Sequence, residues 1–173
     1  HGRDGDAFGA STAEEWYQST VEAIRVAEAI GDSIVVIGLS TGATLAAAAS
    51  LEPELSRRWK AQIWISPNFT IHDPRSEMLL WPWGHVLLRL IQGKTYAWEP
   101  QNERHARFGN TEYPSRVLLE VSSLTDAVRE LPFGDISVPI FLMYSKDDTV
   151  VDAGATGRLY GDITAPKDSV LVR

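Results

Sequence analysis

The chain has 173 residues, enough for one domain with a buried core, and its 44% hydrophobic and 23% charged residues exclude disordered, collagen-like and low-complexity classes. The formal net charge is −7, which disfavours a nucleic acid partner because an acidic protein repels phosphate backbones. There is no cysteine, which excludes disulfides and thiol catalysis, and no apolar run approaches the roughly 18 residues of a membrane-spanning helix.

The first segments read as a loop followed by a helix. Residues 1–10 contain three glycines and no apolar period, which predicts a loop. Thr12 and Glu15 have the spacing of a capping box, in which each residue satisfies a free amide of the other. Apolar residues at helical spacing follow, so the pattern predicts a helix over 12–30.

Strand-like and helix-like segments alternate along the rest of the chain. The predicted strands are short, apolar and rich in β-branched residues, and the first is expected to be buried on both faces; they are 33–37, 61–65, 138–144 and 169–172. The predicted helices are 41–50, 114–131 and 152–161, with 70–112 an irregular insertion. This alternation predicts an α/β fold with a mostly parallel sheet flanked by helices.

One motif with catalytic meaning lies between the first strand and the next helix. Residues Gly38 to Gly42 read G-x-S-x-G, with Ser40 at the centre. A serine in a tight strand-to-helix turn needs small neighbours, which the two glycines provide, and this context is typical of a nucleophile elbow. The alternative, a nucleotide-binding turn, is disfavoured because neither G-x-G-x-x-G nor G-K-[ST] is present.

With this motif, the sequence resembles the α/β-hydrolase superfamily, and within it the esterases and monoacylglycerol-lipase-like serine hydrolases. The resemblance implies a serine hydrolase that cleaves a carboxylic ester through an acyl-enzyme, with Ser40 as nucleophile and no metal or organic cofactor. It also implies that the backbone N–H of Thr41 contributes to the oxyanion hole. The alternative is a binding or interaction module of the same fold, or an inactive fragment of a hydrolase.

The acid of the implied triad is expected after the third strand. Residues 145–151, SKDDTVV, resemble the family turn G-x-x-D-x-x-V, with Ser145 replacing the glycine, and this alignment selects Asp148 rather than Asp147. Some family members carry the acid after the strand equivalent to 61–65. The residues there, 67–69, are Pro-Asn-Phe and include no carboxylate, which favours Asp148.

The family histidine lies beyond the acid, and no histidine follows Asp148 in this sequence. The four histidines all precede it, and each is more typical of a surface or lid residue than of the base: His1, His72, His85 and His105. His1-Gly2 matches a family turn that lies roughly forty residues before the serine. We therefore expect the catalytic histidine, the early strands and one oxyanion donor to lie outside this chain, as part of a larger protein.

Residues 70–112 are expected to form a cap, or lid, on a core made of 1–69 and 113–173. Its many apolar residues predict a roof over an apolar acyl pocket, and the pocket residues we select are Leu39, Trp81, Trp83 and Leu87. Ordinary packing of the cap on the core explains these residues equally well. Binding to a lipid surface is a weaker third interpretation, because tryptophans suit interfaces but the overall charge is negative. The expected partner is a small-molecule ester; the oligomeric state stays open.

Overall fold

The computed structural model describes residues 4–100 and 102–172, without the side chains of His105 and Phe108. The α-helices are α1 Gly5–Ala10, α2 Ala13–Ile30, α3 Thr41–Ser50, α4 Pro53–Ser56, α5 Gly84–Ile91, α6 Glu103–Phe108, α7 Val117–Arg129 and α8 Ala153–Asp162. The strands are β1 Ile34–Leu39, β2 Trp59–Ile65, β3 Thr95–Ala97, β4 Glu112–Pro114, β5 Ile140–Tyr144 and β6 Lys167–Leu171. Two 3-10 helices cover Pro74–Leu80 and Phe133–Asp135.

Four strands form one parallel sheet in the order β1-β2-β5-β6. Leu39 of β1 is in register with Ile65 of β2, which in turn pairs with Met143 of β5. Because all four strands run the same way, their carboxyl ends meet at one edge of the sheet. The predicted α/β class and parallel sheet are therefore confirmed, and the residues that follow β1, β2 and β5 share that edge.

Helix α2 begins with the predicted capping box. The backbone N–H of Thr12 donates to Glu15 Oε2 at 2.8 Å, and the N–H of Glu15 donates to Thr12 Oγ1 at 3.2 Å. Farther along the helix, Ile24 is buried in a cluster with residues of the first two strands and the helices after them. The buried members of this cluster are Ile24, Ile34, Ala49, Leu55, Trp59 and Val138. This core covers one face of β1 and β2.

Strand β1 is not buried on both faces, contrary to the prediction. Ile34 and Gly38 are buried, but Val35, Ile37 and Leu39 are 55%, 65% and 64% exposed. Residues two apart in a strand point to the same face, so one whole apolar face of β1 is uncovered by the described residues. The short run of β-branched apolar residues identified the strand correctly. Its burial depends on which segments lie over it.

Three other boundary predictions were wrong. Residues 5–10 form α1 rather than a loop, because the Asp4 carboxylate caps the helix by accepting from the N–H of Ala7 at 2.7 Å. Pro114 ends β4, where it pairs with Thr95, and α7 begins three residues later. The insertion 70–112 is not irregular, because it contains a 3-10 helix, α5, α6 and strand β3 with the first residue of its partner β4.

The chain divides into two compact units. The larger unit contains Tyr17–Pro74 and the residues from Leu124 onward, including the parallel sheet. The smaller unit contains the described residues up to Trp16 together with Arg75–Ser123, including α5 and the antiparallel pair β3–β4. In that pair, burial and the neighbouring Tyr96 raise the pKa of Tyr113 to about 12. No helix among the described residues is long and apolar enough to span a membrane.

Candidate active site

Ser40 occupies the one-residue turn between β1 and α3. Its backbone has φ 52° and ψ −122°, a conformation that L-residues rarely adopt. The turn is held on both sides: the N–H of Ser40 donates to the carbonyl of Ile65 at 2.9 Å, and its carbonyl accepts from the N–H of Ala43 at 3.0 Å. These hydrogen bonds therefore hold Ser40 in a strained backbone conformation.

The two glycines of the motif have different environments. A Cβ on Gly38 would lie 2.5 Å from the Cα of Ala43, so only glycine allows α3 to pack this closely on β1. A Cβ on Gly42 would meet nothing within 4 Å among the described residues. Close packing in this part of the chain therefore demands the first glycine and not the second.

The loop after β2 supports the Ser40 turn through hydrogen bonds, and no pattern in the sequence predicted this contact. The N–H of Asn68 donates to the Ser40 carbonyl at 3.3 Å, and the Asn68 carbonyl accepts from Thr44 Oγ1 of α3 at 2.7 Å. Asn68 is 7% exposed, and its buried Oδ1 has no hydrogen-bond partner among the described residues. Ser66, the residue before Pro67, has φ 42°. Pro67 is the one sequence signal for this turn, because proline disfavours the right-handed helical region for the residue before it.

Three aromatic rings pack against one another and hold this loop in place. Trp64 of β2, Phe69 of the loop and Phe133 of the 3-10 helix before β5 are in edge-to-face contact, with ring centroids 5.2 to 6.3 Å apart. Trp64 and Phe69 are completely buried. Edge-to-face pairs of this kind add stability beyond the area they bury, so the loop carrying Asn68 is rigidly placed.

Asp148 follows β5 at the same edge of the sheet. Its Oδ1 accepts from the N–H groups of Val150 and Val151 at 2.9 and 3.0 Å, so the carboxylate is oriented by its own turn. Asp148 is partly buried, whereas Asp147 is exposed. The second oxygen of Asp148, Oδ2, is not used in this turn. Asp147 and Asp148 are adjacent in the sequence but differ in exposure, and the carboxylate of Asp148 is held by two backbone N–H groups.

The loops after β2 and β5 pair with each other beside Asp148. Ile71 forms an antiparallel bridge with Val151, and the backbone N–H of His72 donates to the carbonyl of Val150 at 3.0 Å. The imidazole of His72 is exposed, as is that of His85 on α5. No histidine whose side chain the structure describes hydrogen-bonds to Asp148. His1-Gly2 and the side chain of His105 lie outside the described residues.

The remaining predicted site residues fall into two groups. Thr41 is the first residue of α3, so its N–H is one of the amides that a helix leaves without an internal acceptor. Leu39, directly before Ser40, is exposed at the edge of the sheet. Trp81, Trp83 and Leu87 belong to the smaller unit, where the two tryptophans are exposed and Leu87 is half-buried. Within the described part of the chain, no three His, Asp or Glu residues converge to hold a metal ion.

Several solved structures share this fold. One of the two metagenome-derived lipolytic enzymes LipS and LipT is 19% identical with a TM-score of 0.79, and the alignment covers 100% of this chain and 68% of that one. The monoacylglycerol lipase of Paleococcus ferrophilus is 17% identical with a TM-score of 0.69, covering 95% and 66%. A soluble variant of the monoglyceride lipase of Saccharomyces cerevisiae is 13% identical with a TM-score of 0.64, covering 94% and 61%.

The chain thus spans about two thirds of the length of these solved relatives, and at such identities the likeness establishes the fold. Together with the family match given below, it confirms the resemblance to the α/β-hydrolases. No curated protein sequence matches the chain significantly. Residues 1–172 match the model of the family described as serine aminopeptidase, S33, and the chain therefore belongs to this family.

Proposed function

We propose that this protein is a serine hydrolase that cleaves carboxylic esters through an acyl-enzyme intermediate. The observation that carries the proposal is the strained backbone of Ser40, at φ 52° and ψ −122° between a strand and a helix. A residue held in so rare a conformation by its surroundings is characteristic of a functional site. In the proposed reaction, the strained turn serves to present the Ser40 hydroxyl to the substrate.

In the proposed reaction, Ser40 Oγ attacks the carbonyl carbon of the ester while a histidine accepts its proton. Asp148, oriented by its turn, holds that histidine in the correct tautomer. In this proposal, the histidine is neither His72 nor His85, the two whose side chains the structure describes. The N–H of Thr41 binds the developing oxyanion, the histidine returns its proton to the leaving alcohol, and water then releases the acid.

We further propose that the ester carries an apolar acyl group. Leu39, a large apolar residue directly beside Ser40, is 64% exposed. Lipid-like or aromatic acyl groups match such a residue, since apolar pockets gain affinity from buried area. The solved relatives include two monoacylglycerol lipases, which supports this class of substrate.

The deciding experiment labels the intact protein with a fluorophosphonate probe and locates the adduct by mass spectrometry. We expect one adduct on Ser40, lost in Ser40→Ala, together with a fall in kcat/KM of at least about 10³-fold for a p-nitrophenyl ester. Ser66→Ala is the matched control, because Ser66 directly follows the neighbouring strand β2 and also has a positive φ. Retained thermal stability in both variants separates catalysis from folding.

Three results would contradict the proposal. Ester cleavage that survives Ser40→Ala, or an adduct on Ser66, would mean that the nucleophile is elsewhere. An intact protein that takes no label and cleaves no ester would instead support a binding module of this fold. Amino-acid p-nitroanilides in the same assay test the aminopeptidase activity that the family description names.

A further inference from the structure

The carbonyl oxygen of Ser40 is the meeting point of three backbone hydrogen bonds. It accepts from the N–H groups of Ala43 at 3.0 Å, Thr44 at 3.3 Å and Asn68 at 3.3 Å. The first two donors belong to α3, and the third belongs to the loop after β2. Donors from two separate segments therefore fix the direction in which this carbonyl points.

The direction of this carbonyl also sets the direction of the next N–H group. The carbonyl of Ser40 and the N–H of Thr41 belong to one peptide group, which is planar and trans. In a trans peptide group, the N–H points away from the C=O. The hydrogen bonds that hold the Ser40 carbonyl on one side therefore aim the Thr41 N–H, the proposed oxyanion donor, toward the other.

The Thr44 hydroxyl closes a ring of hydrogen bonds around this peptide group. Thr44 Oγ1 donates to the carbonyl of Asn68 at 2.7 Å, and the N–H groups of both residues donate to the Ser40 carbonyl. A threonine inside a helix commonly donates its hydroxyl to the carbonyl four residues earlier. Here that carbonyl belongs to Ser40 and lies 3.4 Å from Thr44 Oγ1, so the shorter bond goes to the loop after β2.

The ring is closed to water. Thr44 is completely buried, and Asn68 is 7% exposed. A buried carbonyl that loses its donor is not compensated by solvent, so without the Thr44 hydroxyl the Asn68 carbonyl would shift toward another partner. Such a shift would move the N–H of Asn68 as well, and it would tilt the peptide group between Ser40 and Thr41.

We propose that the Thr44 hydroxyl is a positioning group for ester hydrolysis. It holds the loop after β2 in the place from which that loop aims the Thr41 N–H at the developing oxyanion. The inference rests on the proposed serine hydrolase function and adds to it a group that does not touch the substrate. The effect of Thr44 is expressed when negative charge develops on the substrate oxygen, because an N–H binds an oxyanion more strongly than a neutral carbonyl.

The test compares Thr44→Val with Thr44→Ser in the full-length protein. Valine keeps the shape of threonine and removes the hydroxyl, whereas serine retains the donor. We expect Thr44→Val to lower kcat for a p-nitrophenyl ester by about tenfold and to leave KM unchanged within about twofold. The expected loss is smaller than that caused by deleting an oxyanion donor, because the Thr41 N–H is tilted and not removed. Thr44→Ser should recover most of kcat.

Two ketone inhibitors separate positioning from folding. An apolar trifluoromethyl ketone accepts Ser40 Oγ at its carbonyl carbon; the serine proton passes to the histidine, and the ketone oxygen becomes an oxyanion. The matching methyl ketone stays a neutral carbonyl. Thr44→Val should weaken binding of the trifluoromethyl ketone by about tenfold and leave binding of the methyl ketone unchanged within about twofold. A change in folding alone would alter both affinities alike.

Two other buried hydroxyls provide matched controls. Ser50 Oγ, in the same helix, donates to the Ala47 carbonyl at 2.7 Å, and Thr156 Oγ1 donates to the Pro67 carbonyl of the same loop at 3.4 Å. Ser50→Ala and Thr156→Val should leave kcat unchanged within about twofold, whatever thermal stability they lose. Near-ultraviolet circular dichroism checks that each variant is folded, and Thr44→Ala replaces Thr44→Val if valine prevents folding.

Four results would overturn the inference. They are an unchanged kcat in Thr44→Val, no recovery in Thr44→Ser, an equal fall of kcat in either control, and a fall of kcat with unchanged affinity for the trifluoromethyl ketone. The last two would assign the Thr44 hydroxyl to the stability of the fold. These results are read in a protein that cleaves esters and is labelled at Ser40. Failure of the proposed function is seen in the unsubstituted protein, so the two failures are distinguishable.

Discussion

At the scale of single residues, the candidate site depends on two strained serines at neighbouring strand ends. Ser40 and Ser66 both have positive φ, and the hydrogen bonds that hold Ser40 come from β2, α3 and Asn68. Each such conformation costs of order 1–3 kcal/mol, so it persists only where the surroundings over-determine it. The strain at Ser40 has a proposed catalytic use; the strain at Ser66 turns the chain into the loop that supports Ser40.

The two adjacent carboxylates give the sharpest prediction at this scale. Asp148→Asn should lower kcat far more than Asp147→Asn, by at least about tenfold more, because only Asp148 is partly buried and oriented by backbone N–H groups. Asparagine keeps an Oδ1 acceptor for Val150 and Val151, so the turn and the thermal stability should be retained. Steady-state kinetics of both variants provide the measurement. Equal losses would show that the wrong carboxylate was selected, or that both act.

At the scale of elements, the contact between β1 and α3 decides the geometry of the Ser40 turn. Gly38→Ala should lower the free energy of unfolding by about 2 kcal/mol or more, because its Cβ would overlap the backbone of Ala43. Gly42→Ala is the matched substitution four residues away, and it should be neutral or stabilising by less than about 1 kcal/mol. Urea denaturation of the two variants measures the difference. A tolerated Gly38→Ala would mean that α3 does not pack this tightly.

The helices and strands also show which local sequence patterns predict structure correctly. The capping box at Thr12 and the short apolar runs of the strands depend on residues a few positions apart, and the structure confirms both. Pro114 was misplaced because proline is favoured at a helix start and is also tolerated in an edge strand, and only the pairing with Thr95 distinguishes these. Short elements such as α1 were missed because six residues carry little periodic signal.

At the scale of the whole molecule, β1 is the end strand of the described sheet and exposes Val35, Ile37 and Leu39. An uncovered apolar strand at a sheet edge is a template for association. We therefore expect a polypeptide of residues 1–173, expressed alone, to self-associate, and Ile37→Lys to reduce this by placing a charge on the apolar face. Light scattering at matched concentration measures the effect.

Ile30→Lys is the control for that experiment, because it adds the same charge at an equally exposed apolar residue that belongs to a helix rather than to the sheet edge. Self-association that responds equally to both substitutions would point to general solubility and not to β1. A monomeric polypeptide of residues 1–173 would show that the exposed face of β1 is tolerated as it stands.

The sequence by itself determined the α/β class, the order of the main strands and helices, and the position of Ser40 between a strand and a helix. These features follow from patterns and motifs that are complete within a few neighbouring residues. Tertiary structure alone decided that Asn68 and Thr44 brace the Ser40 turn, that one face of β1 is open, and that α5 turns its apolar side outward. Each of these depends on which distant segments meet or fail to meet in space, and no local pattern encodes such contacts.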